Sequence, residues 1–114
     1  MSGVNFFENL PDVEKGEVIE KIAELGQGKV RIERIISGGH ASDEGFWYEQ
    51  EQDEWVMLVR GQALLLIEGR DEALEMKAGD HVELPAMLKH RVESVSENAF
   101  WLAVHVERAE MSAH

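Results

Sequence analysis

The sequence predicts a single all-β domain, a small barrel or sandwich, and three observations carry that prediction. From residue 28 onward the apolar residues fall in short runs with period two, as strands do. Gly- and Asp-containing turns punctuate those runs at close spacing. No alternation of strand with helix follows, which argues against a parallel α/β sheet. The 114 residues suit one domain, and a hydrophobic content of 44% fills one core.

The elements follow in order. Val18, Ile19, Ile22 and Leu25 recur at helical spacing, which predicts a short N-terminal helix capped by Asp12 and stopped by Gly26 and Gly28. In that helix Glu17 and Lys21 form an outward i,i+4 pair. Strands are then predicted over 30–36, 46–50, 54–59, 62–68, 73–77, 81–84, 90–95 and 100–107. The expected organisation is a helical segment over 1–28, a barrel over 29–107 and a tail over 108–114.

Composition narrows the function classes. The net charge of −12 leaves no basic surface for a phosphate backbone, so no nucleic-acid partner is expected. It also argues against anionic membranes, and no apolar run is long enough to span a bilayer. Most of these charges read as solvated surface. The absence of cysteine excludes disulfides, thiolate zinc sites and cysteine nucleophiles, and it fits a cytoplasmic chain. Any metal must be held by His, Glu, Asp or Gln. No catalytic triad or phosphate loop can be read here, and no catalytic residue is assigned.

Two segments carry chemistry. In an extended segment, Tyr48, Gln50, Gln52 and Glu54 share a face, and alternation continues that face to Val56 and Leu58. A carboxylate on a core-facing side is costly unless it is paired, wetted at a strand mouth or bound to a cation. Further on, His90 and Val92 share a face at the start of a strand, where His90 is either a satisfied core residue or a ligand.

These two segments resemble the two motifs of the cupins. Glu54, six residues and Gly61 match the end of the first motif. Ser42 stands at its leading glycine, and Tyr48 and Gln50 at its two histidines. Gly79, Pro85 and His90 match the second motif, with Met87 at its second glycine and Ser94 at its asparagine. The resemblance runs from about residue 30 to residue 105 and is greatest for small stand-alone cupins of unassigned activity. It implies a jelly-roll β-barrel, or double-stranded β-helix, with a divalent metal ion (Zn, Ni, Mn or Fe) in its mouth. Carried over by position, Glu54 and His90 are retained as ligands, and Gln50 could ligate through its amide oxygen.

His105 would complete the set if it points inward, which the pattern of the last strand leaves open because both its faces are apolar. Tyr48, Trp47 and Val92 are expected to line the mouth. His81 is expected to face outward, and His40 and His114 read as loop and tail. Three readings follow: a metal-dependent cupin acting on or binding a small molecule, a metal-free module for a small ligand, and a structural barrel. Trp55, Met57 and Val59 lie opposite Glu54 and would mark a homodimer interface if exposed, or lie beneath the N-terminal helix.

Overall fold

The computed structural model describes residues 3–13, 16–39, 42–43 and 45–108. His40, His114 and most of the expected tail lie outside the described residues. The described chain holds eight strands: β1 (Glu17–Leu25), β2 (Val30–Gly38), β3 (Asp53–Arg60), β4 (Gln62–Ile67), β5 (Leu74–Lys77), β6 (His81–Leu84), β7 (His90–Val95) and β8 (Glu97–Val106). They form two antiparallel sheets, a five-stranded one in the order β1-β2-β8-β3-β6 and a three-stranded one in the order β5-β4-β7. This is the expected all-β jelly roll.

Alternation along each strand builds the core. Val56 and Leu58 of β3, Ala63 and Leu65 of β4, Met76 of β5, Leu84 of β6 and Trp101 of β8 meet between the sheets. Leu58 is fully buried. Full burial of such a side chain contributes roughly 1.5–3 kcal/mol.

The expected N-terminal helix is a strand. β1 pairs antiparallel with β2 from Glu17↔Ser37 to Leu25↔Val30, with a bulge between Lys21 and Ala23. The helical stripe was built mostly from Val18, Ile19 and Ile22, whose β-branched side chains also suit a pleated surface. The available edge of β2 decides between the two. Bulging at Ile22 accommodates the spacing that looked helical.

Around Arg34 and Phe100 the outer face of the large sheet is covered by an N-terminal arm rather than a helix. Arg34 of β2 is buried there, and its Nη1 donates to the carbonyls of Phe6 at 2.7 Å and Glu8 at 2.9 Å. Its Nη2 donates to Glu20 at 2.7 Å and to the Asn9 carbonyl at 3.3 Å. One guanidinium thus ties the arm to β1 and β2, and the burial of its charge is offset by charge-assisted hydrogen bonds. Phe7 stacks on Phe100 with ring centroids 5.8 Å apart. Trp55, Met57 and Val59 are half-buried on this face, with His81 against Trp55.

The expected strand over 46–50 shrinks to one bridge, Tyr48 with His90. Gly45 takes a positive φ just before this segment, and the acidic run behind it bends away before β3 begins. Gly61 lies where the chain passes from one sheet to the other, at φ +103°, and a Cβ there would come within 2.9 Å of the Ala99 methyl. Gly69 also has positive φ, +89°, but open space around it. Gly61→Ala is therefore expected to destabilise the protein by about 1–3 kcal/mol more than Gly69→Ala. Denaturant unfolding of the two variants measures the difference, and equal losses would refute the close-packing argument.

Candidate functional site

One end of the barrel is a cavity of about 100 Å³, and strand register determines what lines it. Glu54 is the second residue of β3 and points inward with Val56 and Leu58, as alternation requires. On β8 the inward set is Ala99, Trp101, Ala103 and His105, so the open question of that strand is answered: His105 faces in and is buried. Glu54 lies directly opposite His105 in the β3–β8 ladder, which places their side chains side by side. His90 and Val92 enter from β7, and Tyr48 and Gln50 from the segment before β3. Gln50, Glu54, His90 and His105 therefore line one cavity, with Ile35, Leu65 and Trp101 among its apolar walls. Trp47 does not line it. Alternation turns that ring to the other side of the segment, where the Arg91 guanidinium lies 6.0 Å from its centroid.

The polar contacts are unusual for a barrel interior. His90 Nε2 is 3.8 Å from Glu54 Oε1, and His105 Nε2 is 4.0 Å from Glu54 Oε2. Both separations are too long for hydrogen bonds. Glu54 Oε1 and Gln50 Oε1 are buried with no hydrogen-bond partner. The His90 Nδ1 lies 3.3 Å from the Leu88 carbonyl, which can only accept, so Nδ1 carries the proton and Nε2 turns its lone pair toward Glu54. By the same logic His105 Nε2 donates to Glu33 Oε1 at 2.9 Å. Glu33 in turn accepts from Arg31 Nε at 3.0 Å. Tyr48 stacks on His90 with ring centroids 5.6 Å apart, and its hydroxyl donates to Glu17 Oε1 at 3.4 Å.

Protonation follows from this burial. The Glu54 carboxyl is pushed up from 4.5 to about 7, first by desolvation and then by the nearby Glu33 carboxylate, against a smaller pull from Arg31. Desolvation lowers both His90 and His105. The Leu88 carbonyl opposes it at His90, and Glu33 opposes it at His105. Burial, followed by the charge of Glu17, raises the Tyr48 phenol.

As a test of fit for a metal ion, the donors are Glu54, His90 and the amide oxygen of Gln50. Among the described residues no three His, Cys, Asp or Glu side chains form a metal-holding group by themselves. When Glu54 is ionised, the two orphaned oxygens and the His90 lone pair nevertheless leave a buried set of acceptors without a donor, which a cation would satisfy. The donor chemistry therefore fits a borderline divalent ion.

Comparison with solved structures gives the relatives. A candidate mannose-6-phosphate isomerase from Ralstonia eutropha JMP134 is 39% identical, with a TM-score of 0.86 over 95% of this chain and 100% of its own. A cupin superfamily protein from Desulfitobacterium hafniense DCB-2 aligns with a TM-score of 0.68 at 16% identity, over 87% of this chain and 84% of its own. The chain belongs to the cupin superfamily. KdgF from Halomonas sp. shares the cupin's fold at 18% identity, with a TM-score of 0.72 over 93% of this chain and 94% of its own. No family model and no curated protein matches the chain.

Two residues of the cupin's site escaped sequence reasoning, Glu33 and Glu17. Glu33 shares the inward side of β2 with Ile35, a signal in the alternation, but its meeting with His105 depends on the β2–β8 register. Glu17 was assigned to the outside of a helix.

A pH dependence follows for the metal-free protein. The folded state holds the Glu54 proton more tightly than the unfolded chain, because the pKa rises from 4.5 to about 7. Its contribution is full below pH 4.5 and is lost as pH rises through about 7, a loss of about 3 kcal/mol. His90 and His105 act in the opposite sense, losing stability as pH falls through 6.5. Glu54→Gln should abolish the decline between pH 5 and 8 and keep the acid-side decline. Urea unfolding across that range measures both, and a native-like slope in Glu54→Gln would refute the assignment.

Proposed function

We propose that this cupin holds a divalent cation at Gln50, Glu54 and His90 and there binds and acts on a small oxygen-bearing molecule. One observation carries the reading: Glu54 Oε1 and the His90 Nε2 lone pair face each other at 3.8 Å inside the barrel with no hydrogen bond between them. Donors that each lie about 2.1 Å from a shared ion are themselves about 3–4 Å apart. A metal-free module would need Glu54 and His90 joined by a hydrogen bond, and the gap disfavours that arrangement.

When bound, the ion would polarise an oxygen of the small molecule. The chain supplies everything around it. The Leu88 carbonyl holds the His90 tautomer, and Tyr48 stacked on the ring restricts its rotation. Gln50 is anchored through its own carbonyl, which accepts from Met87 N at 2.7 Å. His105 is oriented by Glu33 and stands opposite Glu54 in the ladder, with its Nδ1 left without a partner. Val56, Leu65 and Trp101 keep the floor of the site dry.

Untagged protein purified without added metal is expected to contain near-stoichiometric Zn, Ni, Mn or Fe by elemental analysis. Glu54→Ala and His90→Ala should lose that metal while keeping the native circular dichroism spectrum. Protein that stays metal-free after dialysis against each of the four ions would sink the reading.

A further inference from the structure

We propose that the mouth of this cupin selects small neutral or cationic molecules and turns away phosphorylated ones, with Glu17 as the specificity-determining residue; this rests on the reading of the cavity as the binding site. The charges at the mouth carry the argument. Its polar lining consists of Glu17, Tyr48, Gln50, Glu54, His90 and His105, with neither lysine nor arginine among them. Phosphate recognition draws on Arg or Lys side chains or on a cluster of unpaired backbone N–H groups. Among the described residues the cavity lining offers neither.

Among the described residues, Arg31, Arg34, Arg91, Lys89 and Arg108 have other partners, Arg108 being bound to Asp53 at 2.9 Å. Arg31 lies opposite His105 in the β2–β8 ladder, and its guanidinium is bound to Glu33 at 3.0 Å, which counters its charge. Arg34 lies on the outer face of the sheet under the arm carbonyls. Arg91 packs over Trp47, with its Nε 2.8 Å from Glu93. Lys89 lies between Glu49 at 3.8 Å and Glu68 at 4.0 Å. The backbone donors at the mouth are spent as well. Tyr48 N and His90 N pair with each other's carbonyls, and Met87 N donates to Gln50 O.

If a divalent ion is bound, its two charges would be offset by the carboxylates of Glu54 and Glu17, which would weaken its attraction for a phosphate dianion. Glu17 has the position to decide this. It stands on β1, partly exposed, lines the cavity and receives the Tyr48 hydroxyl. A ligand's hydroxyl or ammonium group entering the mouth would find Glu17 as an acceptor, whereas a phosphate would find it as a like charge. The cavity of about 100 Å³ restricts the group that enters to a few heavy atoms.

Three probes on one carbon skeleton test the inference: glycerol, the amine 2-amino-1,3-propanediol, and glycerol 3-phosphate. Each is titrated by heteronuclear NMR into native, Glu17→Gln and Glu17→Lys protein, with and without zinc. The Tyr48, Gln50 and His90 signals are followed, and unfolding midpoints check the fold of each variant. In the native protein the amine and glycerol should bind at least about tenfold more tightly than the phosphate ester. Glu17→Gln should narrow that gap, and Glu17→Lys should close or invert it. Equal binding of the phosphate ester by native protein, an unchanged gap in both variants, or no binding of the neutral and cationic probes would overturn the inference. Failure of the metal reading looks different: the same ranking with and without zinc and no zinc retained. Stoichiometric zinc with no ranking would sink the specificity inference alone.

Discussion

A carboxylate turned into the barrel at Glu54 sets the terms for the rest of the site. The period of a strand leaves no choice about it: a residue two before Val56 and four before Leu58 faces where they face. Burial of that group without a partner raises its pKa toward neutrality, so without a cation the interior stands near the midpoint of a protonation equilibrium. The neighbours make this worse rather than better. His90 presents a lone pair, Gln50 an amide oxygen, and Glu33 a second carboxylate behind His105. A core assembled only for stability would put apolar side chains at these positions, because a half-satisfied polar cluster is inferior to hydrocarbon. The cluster makes physical sense as a receptor for something positive or proton-bearing.

The fold isolates that cost at one end. Away from the mouth the inter-sheet core is hydrocarbon, with Leu58, Met76 and Ala99 buried, and its burial offsets the unfavourable polar end. The outer face is secured independently by Arg34. Its guanidinium is buried, but four acceptors surround it, so it is the counter-example to Glu54: a charge taken out of water with its hydrogen-bonding satisfied. The two buried charges on opposite faces of the same sheet therefore have different meanings. Arg34 fastens an arm, whereas Glu54 leaves a valence open.

Much of this was legible in the sequence, and the reasons differ by element. Seven strands were readable from period two and from their turns. Glu54, His90 and Gln50 were readable because alternation and the cupin spacing agreed. The helix was misread because Val18, Ile19, Ile22 and Leu25 satisfy a helical period while a bulge lets the same residues fit a strand. That single error hid Glu17, which helical geometry sent to solvent. Glu33 was hidden for another reason: its partner lies 72 positions away, and pairing β2 with β8 is a property of topology rather than of local pattern. The inward side of β8 was undecidable from composition because Phe100, Leu102 and Val104 are as apolar as Trp101 and Ala103. On the apolar outer face the arm places Phe6 and Phe7 against Phe100.

The departures from the family motif are consistent with the geometry rather than signs of decay. Met87 occupies a glycine position and takes φ +69°, which glycine would adopt freely. The strain persists because Met87 N is pinned to the Gln50 carbonyl and Leu88 N to that of Pro85. That turn therefore positions both Gln50 and His90. Tyr48, at a histidine position, contributes no ligand, but it stacks on His90 and bridges to Glu17. Replacing an imidazole there by a phenol trades a metal donor for a wall that carries a hydroxyl at the rim. The outcome is fewer donors to the ion and more contact with whatever lies beside it. On the proposed metal reading, a site so arranged would hold a cation less firmly than one with three histidines, and its selectivity would depend more on the rim, where Glu17 supplies the charge.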